Sequence, residues 1–83
     1  MISALRKDAQ VIIEAALRAA QPHAAVEKAL EGLAPGAGRL VLVAVGKAAY
    51  AMAEAASGLL GDRISRGIVI TKYGHAGKPL PGI

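Results

Sequence analysis

Cysteine is absent from these 83 residues, and so are phenylalanine and tryptophan. Without cysteine the segment can hold no disulfide, no thiolate zinc site and no cysteine nucleophile, which fits a reducing cytoplasm. Tyr50 and Tyr73 are the only aromatics, so a core must come from Ala, Val, Ile and Leu. Alanine lets a helix approach a sheet closely but adds little buried area. A free-standing domain of this size is therefore expected to be marginal. Long apolar runs are missing too. No stretch approaches the ~20 residues of a membrane span, and the charges of Arg6, Lys7 and Asp8 come too early for a signal peptide. No membrane partner is expected. Five-residue basic runs and aromatic stacking platforms are also lacking, so the formal net charge of +4 does not point to nucleic acid. Dispersed cations such as Lys47, Arg63, Arg66 and Lys72 suit a small anionic substrate better.

Apolar residues recur at helical spacing from Asp8 to Ala20, where Ala9, Ile12, Ile13, Ala16, Leu17 and Ala20 make a stripe. Ser3 is suited to cap that helix. Pro22 breaks it and suits the first turn of a second helix, running to about Glu31 and ended by Gly32. The glycines of Ala34-Pro35-Gly36-Ala37-Gly38 precede a strand, so this stretch reads as a connector. Leu40 to Val45 is a continuous apolar run rich in β-branched residues, the pattern of a parallel strand covered on both faces. Gly46 ends it. An Ala-rich helix is expected from about Lys47 to Leu60, stopped by Gly61, and a second strand over Gly67 to Thr71. The remainder has no helical period, and Pro79-Leu80-Pro81-Gly82-Ile83 reads as a loop entering another strand. The order helix–helix–strand–helix–strand gives an α/β fold, the start of a Rossmann-like three-layer domain with parallel strands. Two strands do not make a stable sheet. The chain therefore reads as the opening piece of a larger enzyme, too short for a complete active site.

In open α/β sheets ligands bind at the carboxyl ends of the strands. Here the first strand runs into Gly46 and the amino end of a helix, where free N–H groups and the helix dipole favour an anion. A cation at Lys47, in the first helical turn, is disfavoured by ~0.3–1 kcal/mol unless an anion lies between it and the helix. Gly46, Lys47 and Ala48 are thus the candidate anion-binding residues, with a solvated Lys47 as the plain alternative. The stretch is not a Walker A loop, because Val41 and Ala48 stand where glycine and Ser or Thr are required. The dinucleotide fingerprint is missing as well. The loop after the second strand, Thr71-Lys72-Tyr73-Gly74-His75, falls on the same sheet edge, so Lys72 and His75 join the candidate set. His23 reads as a surface residue, and Arg63 and Arg66 as solvated or paired with Asp62. No carboxylate pair for acid–base work and no metal-ligand cluster is visible.

Two segments carry a resemblance. Val43-Ala44-Val45-Gly46-Lys47-Ala48-Ala49-Tyr50-Ala51-Met52-Ala53 resembles the first strand–turn–helix of the type II glycerate kinases, the glycerate 2-kinases with a C-terminal MOFRL domain, some of which are called hydroxypyruvate reductases. Gly61 to His75 is similar to that family's next connection and strand, and the Gln21-Pro22 break fits its opening. The resemblance covers nearly the whole chain. It implies that residues 1–83 are the N-terminal part of the kinase's N-terminal α/β domain, in a cytoplasmic two-domain enzyme. It also implies phosphoryl transfer from ATP, with Mg2+, to the 2-hydroxyl of D-glycerate, giving 2-phosphoglycerate. Lys47 matches the family's active-site lysine. The family's later glycine-rich segment, acidic residues and MOFRL domain have no counterpart in these residues, so no metal ligands are expected here. A homodimer stays open. The rivals are a hydroxypyruvate reductase, a phosphosugar-binding module, and a fragment without catalytic function.

Overall fold

The computed structural model describes residues 2–34 and 36–83. Its elements are α1 (Ile2–Ala19), α2 (Pro22–Leu30), β1 (Leu40–Val45), α3 (Ala49–Leu60), a 3₁₀ turn over Gly61–Arg63, and β2 (Ile64–Ile70). The helix–helix–strand–helix–strand order and the parallel β1–β2 pair are as expected. Pro35, in the connector, lies outside the described residues.

α1 begins at Ile2, so Ser3 lies inside the helix and does not cap it. Pro22 takes the first turn of α2 after an extended Gln21, because its missing N–H costs nothing there. Gly32, at φ +74°, turns the chain out of α2. His23 Nδ1 and Glu27 Oε1 pair at 2.9 Å across one turn, both about half exposed.

β2 starts earlier than the apolar run suggests, because Ile64 and Arg66 pair with Leu40 and Val41 across a register irregularity. Beyond it the register is regular, from Leu42 opposite Gly67 to Val45 opposite Ile70. α3 packs against both strands and against α2. Among the described residues the buried ones, Ala49, Ala53, Ala55 and Ala56, all lie on α3. Alanine's small side chain permits that close approach. The expectation that both sheet faces are covered fails within this chain. Leu40, Leu42 and Ala44 are half-buried, while Val41, Val43 and Val45 alternate with them and are exposed. Ile68 and Ile70, paired with Val43 and Val45, share that exposed face. It is the face on which a third layer would sit.

Arg63 does not pair with Asp62. Its guanidinium donates to the Gly36 and Gly38 carbonyls and so ties the connector to the start of β2. The segment after β2 folds back: Gly67 N donates to the Gly82 carbonyl (3.1 Å), and Tyr50 Oη donates to the Lys78 carbonyl (2.8 Å). A Cβ at Gly77 would fall 2.5 Å from Tyr50 Cζ. Gly77→Ala is therefore expected to displace the Tyr50 ring and to cost about 1–3 kcal/mol when this segment is part of a folded enzyme. Thermal melts in a double-mutant cycle check it. Combined with Tyr50→Ala, the Gly77 change should cost almost nothing further. Equal costs in both backgrounds would show that the ring is not the obstacle.

Candidate functional site at the strand ends

The carboxyl ends of β1 and β2 lie side by side because the strands are parallel and in register up to Val45 and Ile70. Gly46 N donates to the Ile70 carbonyl (3.0 Å) and continues the ladder one step past β1. The chain then turns sharply. Gly46 sits at φ +121°, a conformation that side-chain-bearing residues rarely adopt. Its carbonyl accepts two hydrogen bonds, from Ala49 N at 3.2 Å and from the Thr71 hydroxyl at 2.7 Å. The first closes the Gly46–Ala49 turn that leads into α3. The second joins the two strand-end loops directly.

Lys47 was expected in the first helical turn. It instead precedes Ala48, the N-cap of α3, because the turn closed by Ala49 N delays the helix by two residues. No side chain caps α3. An alanine N-cap has no oxygen to offer the first-turn amides. Lys47 and Ala48 are exposed. In the second loop, His75 N donates to the Lys72 carbonyl (3.0 Å) and closes a turn that leaves Lys72, Tyr73 and His75 exposed. Among the described residues the ion pair present is His23 with Glu27, so no acidic side chain neutralises Lys47, Lys72 or His75. No group of three or more His, Cys, Asp or Glu residues among them could hold a metal ion. Among the described residues no helix is long and apolar enough to cross a membrane.

The structure thus brings Gly46, Lys47 and Ala48 to the same sheet edge as Lys72 and His75, and it adds Thr71. In the sequence Thr71 stands where the apolar strand run meets the loop. Its role depends on a partner 25 positions away, which only the parallel pairing supplies.

Residues 8–82 match a family described as a domain of unknown function, DUF4147. The chain belongs to that family. Over 76 residues it is 45% identical to the D-glycerate 2-kinase of Thermotoga maritima. The expected kinship with the glycerate 2-kinases therefore holds. That match takes in 92% of this chain and 18% of the Thermotoga protein, so the chain spans less than a fifth of the relative's length. No solved structure matches the chain.

Proposed function

We propose that this DUF4147 segment is the N-terminal part of the N-terminal α/β domain of a glycerate 2-kinase, which transfers the γ-phosphoryl group of ATP to the 2-hydroxyl of D-glycerate. The observation that carries the reading is the junction of two strand-end loops. They present Lys47, Lys72 and His75 at one sheet edge, without acidic partners, beside an uncapped helix start. Phosphoryl transfer needs positioning and the neutralisation of spreading negative charge. Lys47 would meet a phosphate or the glycerate carboxylate, with Gly46 and Ala48 supplying backbone approach and Lys72 and His75 further positive charge. The likeness to the D-glycerate 2-kinase of Thermotoga maritima supports D-glycerate as the phosphoryl acceptor. ATP would bring Mg2+, and among the described residues no group of three or more His, Cys, Asp or Glu could hold it. A MOFRL domain would complete the cleft, in a cytoplasmic enzyme that acts as a monomer or as a homodimer.

The test is a chimera in which this chain replaces the corresponding segment of the Thermotoga maritima kinase. It should convert ATP and D-glycerate to ADP and 2-phosphoglycerate, read by mass spectrometry of the products. A chimera that melts cooperatively yet shows no transfer would overturn the reading, and NAD(P)H-dependent reduction of hydroxypyruvate in its place would establish the reductase. The isolated chain, lacking metal ligands and a facing domain, should give no transfer. Turnover by the 83 residues alone would show that the site is complete without them.

A further inference from the structure

We propose that Thr71 is a positioning residue for Lys47, acting by fixing the peptide between Gly46 and Lys47. The proposal rests on the glycerate-kinase reading above. Gly46 has no Cβ, and nothing lies within 4 Å of where one would be. Sterics therefore do little to hold the peptide plane that follows it. Two hydrogen bonds do hold it, both on the Gly46 carbonyl oxygen: from Ala49 N, and from the Thr71 hydroxyl at the shorter distance of 2.7 Å. In a trans peptide the C=O and the next N–H point in opposite directions. With the carbonyl directed toward Thr71 and the start of α3, the Lys47 N–H is directed away from both. A flipped peptide would exchange these groups. It would offer a carbonyl oxygen where an N–H now faces out, and would re-aim the Lys47 side chain.

Thr71 suits this work. It follows the last residue of β2, is half-buried, and has a β-branched side chain with few χ1 choices. Its hydroxyl donates to the backbone of the other loop, so it acts through Lys47 and is not itself a catalytic residue. The bond also makes the two candidate loops one unit. Lys72, the next residue, is thereby held on the same edge as Lys47.

The experiment uses the chimeric kinase with Thr71→Val, which keeps the shape and removes the hydroxyl, and Thr71→Ser, which keeps the hydroxyl. Loss of the bond should lower kcat about 10-fold, the upper range for one neutral hydrogen bond, with both KM values shifted less than kcat. The serine variant should recover most of the loss. In a Lys47→Met background, Thr71→Val should cost nothing further, because the group it positions is gone. Wild-type kcat in Thr71→Val, or an equal fall in both backgrounds, would overturn the proposal and leave the kinase reading standing. If Lys47→Met itself leaves kcat unchanged, the assignment of Lys47 fails and this inference with it. Should the valine variant not melt cooperatively, Thr71→Ala is read against Thr71→Ser by the same criteria.

Discussion

Replacing Lys47 with methionine in the chimeric kinase is expected to lower kcat by ~10²–10³-fold, the usual cost of removing one contact to developing charge. The fall should appear in kcat and in kcat/KM alike. A contact to charge that spreads in the transition state is stronger there than in the ground state. Stability should stay within about 0.5 kcal/mol of the parent, because Lys47 is exposed and has no acidic partner among the described residues. Its place before the N-cap of α3 reduces the dipole conflict expected of a first-turn lysine, so little stability is gained by removing it either. Steady-state kinetics and a thermal melt read both quantities. Near-normal turnover would make Lys47 a solvated lysine at a helix start. Lost activity with a large fall in melting temperature would make it a structural residue.

The site was legible in the sequence where it is local and illegible where it is tertiary. Leu40 to Val45 announces a strand through its β-branched run, and Gly46 announces the turn, so the place of Lys47 follows from neighbours in the chain. The two-residue delay of α3 follows from a hydrogen bond that composition cannot show, since lysine and alanine are both good helix formers by propensity. Thr71 is a good strand residue on propensity. Only the parallel pairing with β1 gives its hydroxyl a carbonyl to meet. Tyr50 sits among alanines on α3, with nothing near it in the chain to name a partner for its hydroxyl. Its hydroxyl reaches Lys78 because Gly77 lets the later segment come against the ring. The early start of β2 was hidden by Ser65 and Arg66, which are polar, exposed, and tolerated because that end of the sheet faces outward.

The isolated 83-residue chain is expected to associate in solution and to melt without a sharp transition. Among the described residues the buried ones are four alanines, and no large side chain is fully buried. Burying an alanine removes little apolar area from water, so these contribute far less than the 1.5–3 kcal/mol that each Leu or Ile would bring, roughly, if buried. Large apolar side chains lie outside instead. On α1, Ile12 is 69% exposed, and Leu5, Ile13 and Leu17 are similar. On the free sheet face, Val43 is 65% exposed and Val45 68%. The radius of gyration, 16.7 Å, exceeds the value of about 12 Å for a compact chain of this length, in keeping with extents of 59 × 32 × 16 Å. Exposed apolar faces and a two-stranded sheet with open edges both favour association. Sedimentation velocity across a concentration series should show the mass rising with concentration, and circular dichroism a broad thermal change. Val43→Lys on the sheet face and Ile12→Glu on α1 should each move the distribution toward monomer, since a charge there cannot be buried cheaply against a second apolar surface. A single monomeric species with a sharp cooperative melt would show that four alanines and a two-stranded sheet hold this segment without help from elsewhere.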